Sequence, residues 1–438
     1  MNIAVIGTGY VGLVTGACFS EFGVHVTCVD KDEEKIAALK RGEIPIFEPG
    51  LDDLVARNVR DGRLEFTSDT ADAIDQALVV LIAVGTPAAA DGSTDLCFVE
   101  AVAREIGRRI EGYKVIITKS TVPVGTSDRV RECIDEELAA RGVSVRYSLA
   151  SNPEFLREGA AIGDFMRPDR VVLGTEGEDA QALAILKDLY RPLYLNETPF
   201  IETNIHTAEL SKYAANAFLA TKISFINEIS VVCDEVGGDV QAIARVMGLD
   251  QRIGKKFLHA GPGFGGSCFP KDTQSAAFFA RELGYELGIV EASIRANERQ
   301  RLRMVDKVVT ALGGEVEGST VAVLGIAFKP ETDDVREAPA IDIIRALLDR
   351  GATVRAYDPE ALEEAGQLLP EMICCKDAYD ALSGADVMTI ITEWNQFRMI
   401  DLPRARELMA TPRMVDMRNI YDGKRLRNEG FEYIGVGV

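Results

Sequence analysis

The residues of this chain best suited to chemistry lie at 261–272, Gly-Pro-Gly-Phe-Gly-Gly-Ser-Cys-Phe-Pro-Lys-Asp. Four glycines give a loop whose backbone can approach a ligand closely. The loop presents one thiol, Cys268, followed three and four residues later by a cation, Lys271, and a carboxylate, Asp272. In cysteine chemistry the thiolate is the nucleophile, and a neighbouring ammonium group favours it. Taken alone, the same residues could form a glycine-rich turn with an incidental buried cysteine. They do not make a phosphate-cradling Walker loop, because no Lys-Ser/Thr pair follows Gly266. Covalent catalysis gains weight from a cofactor signature at the opposite end of the chain.

That signature is Gly7-Thr8-Gly9-Tyr10-Val11-Gly12, set between an apolar strand, Ile3–Ile6, and an apolar helix expected over Leu13–Phe22. A second strand, His25–Val29, ends on Asp30. Gly7 permits the tight turn, Gly9 lets a pyrophosphate approach, and Gly12 lets helix and strand pack closely. The helix N-terminus then faces the phosphates. Asp30 stands where a carboxylate would accept hydrogen bonds from an adenosine ribose and repel a 2′-phosphate. That favours NAD over NADP, although Lys31 beside it weakens the discrimination. A further pair, Lys212 and Asn216, lies on a long helical pattern over residues 204–236. Residues four apart project from one helix face. A solvated face would give the same spacing, but Ala214, Ala215 and Ala217 around the pair suggest tight packing.

Buried parallel strands must hold these groups. Leu78–Val84, Val115–Thr118 and Val145–Leu149 have the required apolar runs. They end in Gly85-Thr86-Pro87, Lys119-Ser120-Thr121-Val122-Pro123 and Ser151-Asn152-Pro153-Glu154. Ligands of an open α/β sheet lie beyond the carboxyl ends of its strands, so these loops are candidates for the cofactor and substrate rim. The long helix carries apolar Leu210, Ala214, Ala217 and Phe218. From Ser319 the opening pattern returns. Thr320–Leu324 leads into Gly325, Thr353–Tyr357 ends on Asp358, and Val387–Ile391 resembles Leu78–Val84. Gly325-Ile326-Ala327-Phe328-Lys329 lacks the three-glycine fingerprint, so a second, degenerate Rossmann-like sheet is expected to serve another, nucleotide-bearing ligand.

At 438 residues the chain should form two or three domains. Its 47% hydrophobic and 27% charged residues describe a soluble globular protein. A net charge of −21 argues against binding nucleic acid or anionic membranes, but leaves anionic small ligands open. No run of eighteen apolar residues is present, and Met1–Ile6 enters a strand directly, so neither a membrane span nor a signal peptide is expected. The eight cysteines form no Cys-x-x-Cys pair, and the three histidines are not spaced as metal ligands. A reducing compartment, the cytoplasm, and no structural metal are expected.

Six segments in order resemble the UDP-glucose dehydrogenases of the nucleotide-sugar dehydrogenase superfamily, over almost the whole chain. They are Gly7–Gly12, Lys119–Gly125, Asn152–Gly159, Glu209–Asn216, the cysteine loop, and Ala327–Pro330 through Asp334–Glu337. The resemblance implies an α/β fold of two Rossmann-like domains joined by a central helical dimerisation segment. Boundaries are expected at 1–202, 203–300 and 301–438, for NAD, dimerisation with catalysis, and the UDP-sugar. It implies oxidation of the sugar's sixth carbon from alcohol to carboxylate, with two NAD reduced. Cys268 would add to the aldehyde, and the thiohemiacetal would give a thioester that is then hydrolysed.

The resemblance also assigns roles. Lys212 and Asn216 would stabilise an oxyanion, and Asp272 would handle protons or an activating water. Thr121 and Glu154 would position water near the reacting carbon. Lys35, Thr86, Thr121, Glu158, Lys271 and Arg336 join Gly7, Gly9, Tyr10, Val11, Gly12 and Asp30 as cofactor contacts. Phe155, Leu156, Arg157, Phe257, Leu258, Gly265, Lys329 and Arg425 would contact the sugar nucleotide, together with Glu154, Lys212 and Asn216. Arg252 would reach the substrate across a homodimer interface, and His259 stands where relatives vary. The approach to the cysteine favours UDP-glucose over the GDP-mannose and UDP-N-acetylmannosamine branches. A β-hydroxyacid dehydrogenase would need neither the thiol nor residues 319–438. An NAD-binding sensor without turnover would not need the set Lys212, Asn216, Cys268 and Asp272.

Overall fold

Runs of valine, isoleucine and leucine that are buried on both faces become the central strands of two sheets, as expected where helices cover both sides. The computed structural model describes residues 1–89, 91–177 and 179–438, in two units, Met1–Ala215 and Asn216–Val438. Eight strands form the sheet of the first unit: β1 (Asn2–Ile6), β2 (His25–Val29), β3 (Leu64–Thr67), β4 (Val79–Ile82), β5 (Val115–Thr118), β6 (Ser148–Ser151), β7 (Val171–Thr175) and β8 (Phe200–Asn204). Their order is β3-β2-β1-β4-β5-β6-β7-β8, and every neighbouring pair is parallel except β6 with β7. The chain turns outward in both directions from β1 and β4. Beyond the carboxyl ends of those two strands lies the switch point where such sheets bind ligands.

The second unit holds six parallel strands: β9 (Thr320–Leu324), β10 (Thr353–Tyr357), β11 (Ile373–Cys374), β12 (Val387–Ile390), β13 (Arg413–Asp416) and β14 (Glu432–Ile434). Their order, β11-β10-β9-β12-β13-β14, repeats the β2-β1-β4 arrangement of the first sheet. Helices Val240–Leu249, Phe269–Glu282 and Gly288–Ala311 precede this sheet in the chain. Among the described residues no helix is long and apolar enough to cross a membrane.

Two sequence expectations shift. The strand expected at Val145–Leu149 begins at Ser148, where its N–H joins the Lys114 carbonyl and the ladder pairs Ser148 with Val115. The first helix begins at Tyr10 inside the fingerprint, not at Leu13, because Leu13 N–H already reaches the Gly9 carbonyl.

The 32-residue helix Ile205–Val236 runs from the first unit into the second. Ala217 is buried on it, as are the polar residues Glu209, Lys212, Asn216 and Asn227. Leu210, Ala214, Phe218, Phe225 and Val232 are exposed, Phe218 by 65%. The helix therefore buries these four polar residues and leaves a stripe of large apolar ones exposed.

Candidate active site

At the end of β1 the backbone turns through Gly7, whose φ of +105° a side chain would strain and whose Cβ would meet the Ala83 carbonyl at 2.6 Å. A Cβ on Gly12 would stand 1.9 Å from the Gly7 carbonyl, so turn and helix touch directly. At Gly9, by contrast, a Cβ would meet nothing within 4 Å. Gly9 caps the helix Tyr10–Glu21, which includes Val11; no side chain bonds its first N–H groups and no acid sits in its first turn. This is an open, donor-rich end of the kind that accepts a phosphate.

Asp30 Oδ2 accepts from Thr8 N (3.1 Å), Thr8 Oγ1 (2.6 Å) and Lys35 Nζ (3.2 Å). Partial burial pushes the carboxyl up, but Thr8, the Asp32 N–H and the Lys35 ammonium outweigh it and hold Asp30 below the usual range. The residues present thus fit a dinucleotide: Gly7 and Gly12 close the turn, Gly9 leaves its backbone open, and Asp30 offers a carboxylate at the end of the second strand. Thr86 Oγ1 donates to the Thr121 carbonyl at 2.9 Å and ties together the loops after β4 and β5.

The loops after β5 and β6 meet the long helix in a buried cluster. Lys212 Nζ donates to Glu154 Oε1 at 2.8 Å, and the Leu156 N–H reaches Oε2 at 2.6 Å. Burial pushes the Glu154 carboxyl up. The Lys212 charge and hydrogen bond, the Leu156 N–H and Lys119 more than offset this, so its pKa is depressed. Lys119, itself buried, donates to Asn152 Oδ1 at 2.9 Å and to the Tyr190 hydroxyl at 3.2 Å. Burial pushes its pKa down to about 8, against the pull of Glu154 and with the help of Lys212. The Phe155 ring carries the Arg170 guanidinium 3.6 Å from its centroid and the Lys212 ammonium at 5.5 Å.

The second unit carries the thiol. Cys268 caps the helix Phe269–Glu282, with its sulfur 3.6 Å from Ser267 Oγ. One turn on, Asp272 is fully buried. Its Oδ1 accepts from Lys271 Nζ at 2.7 Å and its Oδ2 from Asn216 Nδ2 at 2.6 Å. The Lys271 ammonium thus pairs with the neighbouring carboxylate.

The family's own domains match along the chain: its NAD binding domain over residues 1–194, its central domain over 206–299 and its UDP binding domain over 322–423. The chain belongs to the UDP-glucose/GDP-mannose dehydrogenase family. It is 53% identical over 438 residues to the UDP-glucose 6-dehydrogenase of Rhizobium meliloti (strain 1021), covering 100% of this chain and 99% of the relative. It is 49% identical to UDP-glucose 6-dehydrogenase TuaD of Bacillus subtilis (strain 168), at 100% and 93% coverage. The solved UDP-glucose dehydrogenase of Pyrobaculum islandicum superposes with a TM-score of 0.92 at 39% identity, covering 100% of this chain and 97% of that one.

The remaining candidates divide by position. In the first unit, Tyr10 donates its hydroxyl to Glu48, which also accepts from the N–H groups of Gly159 (2.6 Å) and Ala161 (2.8 Å). The fingerprint helix is thereby tied to the loop bearing half-buried Glu158. Arg157 pairs with Asp164 at 2.6 Å. In the second unit, Phe257 packs edge-on against Phe269, and Leu258 is buried beside it in sequence. A Cβ on Gly265 would stand 2.3 Å from the Glu337 carbonyl. Lys329 lies over the Phe328 ring, and Arg336 pairs with Asp334 at 2.8 Å. Arg252 and Arg425 lie on exposed surface, beside Asp250 and Glu429.

Three residues given no role from sequence belong to these clusters. Lys119 and Arg170 are basic groups held against the Glu154 loop. Glu209 accepts from Gly125 N, Ser127 N and Ser127 Oγ at 2.7–3.0 Å and pins the loop after β5 to the long helix. A buried acid three residues before Lys212 was the available signal. Among the described residues no group of three or more His, Cys, Asp or Glu is placed to hold a metal.

Proposed function

We propose that this chain catalyses the NAD-dependent four-electron oxidation of UDP-glucose to UDP-glucuronate. The observation that carries the reading is the pairing of Cys268, at the head of its helix, with buried Asp272 one turn later. An oxidation that stopped at the aldehyde would need no such thiol. The names of the relatives at 53% and 49% identity support the choice of sugar.

NAD, when bound, supplies the hydride acceptor, and two are reduced per sugar. Lys212 stabilises negative charge on the C6 oxygen as an ammonium. Asn216 contributes through an N–H, since a carboxamide has two and Asp272 takes one. The Cys268 thiolate adds to the C6 aldehyde, forming a C–S bond and an alkoxide. Loss of the second hydride leaves a thioester. Water adds to that carbonyl, the C–S bond breaks and the thiolate returns, with Asp272 and Glu154 receiving and orienting the protons involved. Residues 1–202 would hold NAD, 203–300 catalysis and dimerisation, and 301–438 the nucleotide.

The exposed stripe Leu210, Phe218, Phe225 and Val232 supports a homodimer built along the long helix, with Arg252 completing the partner's site. Eight free thiols suit the cytoplasm. The test is NADH formed per sugar nucleotide consumed, over UDP-glucose, GDP-mannose and UDP-N-acetylmannosamine. Two per UDP-glucose supports the reading; one indicates an ordinary alcohol dehydrogenase, none a sensor, and preference for another sugar reassigns the substrate. A monomer by light scattering at full activity would rule out the composite site.

A further inference from the structure

The loop leading to Cys268 is paired like a β-strand, but to side chains instead of another strand. The Phe264 N–H donates to Asn297 Oδ1 at 2.8 Å, and Asn297 Nδ2 donates back to the Phe264 carbonyl at 3.0 Å. One buried carboxamide thus holds both peptide groups of one residue. Gln300 Nε2 donates to the Gly261 carbonyl at 2.8 Å. Arg301 Nη2 donates to the carbonyls of Phe264 (3.1 Å) and Glu337 (3.0 Å), while its Nη1 is paired with Asp342.

Asn297, Gln300 and Arg301 stand at i, i+3 and i+4 on the helix Gly288–Ala311, so they form one face. From the helix Ile205–Val236, Asn227 Oδ1 accepts the Gly261 N–H at 2.8 Å. Gly263 sits at φ +112°, and a Cβ there would lie 2.6 Å from Asn297 Oδ1. The loop backbone is therefore seated directly on the carboxamide.

We propose that Asn297 is the positioning residue for Cys268. Its carboxamide, with Gln300 and Arg301 on the same face, fixes the register of Gly261–Gly266 and so the place of the sulfur that follows. The proposal rests on Cys268 being the nucleophile. Only a carboxamide of this length offers a donor and an acceptor side by side at the required place; a carboxylate would set an acceptor against the Phe264 carbonyl. The second oxidation needs the sulfur to meet an aldehyde, whereas the first does not use it. Loss of register should therefore divide the two half-reactions.

The test compares Asn297→Asp and Gln300→Ala with the parent enzyme. One readout is conversion of the C6 aldehyde of UDP-glucose to the acid, measured against oxidation of the alcohol. The other is the pH profile of Cys268 alkylation by iodoacetamide, followed by mass spectrometry of its peptide. In Asn297→Asp, acid formation should fall about a hundredfold, the loss associated with displacing a reacting group by about 1 Å, with a shifted alkylation profile and far less effect on the first step. Gln300→Ala should give the same division at about tenfold. Folded variants with the parental ratio and profile would overturn the proposal. So would failure of both to fold, because the face would then serve stability. Cys268→Ser assayed alongside separates the two ideas: retained acid formation there removes the nucleophile, whereas its loss with Asn297→Asp unaffected removes only the positioning role.

Discussion

Lys212 and Glu154 form an ion pair at 2.8 Å with side chains only 4% and 5% exposed, so removing either charge breaks a buried pair. The cationic group assigned to the oxyanion is thereby held against the loop after β6, and its position depends on a residue 58 places away in sequence.

Glu154→Gln should destabilise the protein by about 3–5 kcal/mol at neutral pH, the cost of breaking a buried ion pair by removing one partner, and reduce turnover. The Glu154 pKa is depressed in the folded chain. Its contribution is therefore present above the unfolded carboxylate value and lost as pH falls through the folded one. Urea denaturation should show the gap between parent and variant closing in acid. An equally wide gap at both ends would contradict this account.

Cys268→Ser should keep slow alcohol oxidation but lose passage to the acid, because a hydroxyl is a far weaker nucleophile and a poorer acyl carrier. A stalled covalent ester is the other acceptable product. Rapid quench with intact-protein mass spectrometry distinguishes them, and undiminished two-step turnover would end the covalent mechanism.

Asp30→Ala should weaken NAD binding by about 1.5–3 kcal/mol and narrow the preference over NADP, since a charge-assisted partner of the ribose and a repulsive charge both disappear. Lys35, paired with Asp30 at 3.2 Å, would then be released to meet a 2′-phosphate. Comparative kinetics with both cofactors is the measurement; a parent enzyme that prefers NADP would refute the assignment.

Asp416, at the end of β13, is buried and accepts from the N–H groups of Arg418 (3.1 Å) and Tyr421 (2.9 Å). Burial pushes its pKa up to about 6 from 3.8. The folded value lies above the unfolded one, so its contribution is full below the unfolded value and lost as pH rises through about 6. Asp416→Asn should gain stability relative to the parent by roughly 3 kcal/mol between pH 4 and 7, from about two pKa units. A difference that stays flat across that range would refute the assignment.

The centres of both sheets were legible because β1, β4, β5, β9 and β12 are short apolar runs followed by turn residues. The edges were not. The strands β3, β8 and β14 carry Glu65, Glu202 and Glu432, charges that an edge can leave in water and that hide the strand pattern. The Lys212–Asn216 spacing was visible, but its burial depends on Glu154 and Asp272, each more than fifty residues distant. The hold of Asn297 on Phe264 left no sequence pattern, because a side chain that grips backbone requires no particular residue type opposite it.

The two sheets end their second strands on the same kind of residue, with opposite outcomes. Asp358, after β10, receives the N–H groups of Ile326, Ala327, Glu360 and Ala361 and the Trp394 indole, and is 1% exposed. Five donors occupy both oxygens, so a ribose would find there no exposed acceptor, and the turn after β9 is locked by the chain itself. Asp30 keeps an accessible edge beside an open glycine. A chain that contains the same strand arrangement twice should accordingly titrate with one dinucleotide per protomer, the second turn having become a permanent internal fastening.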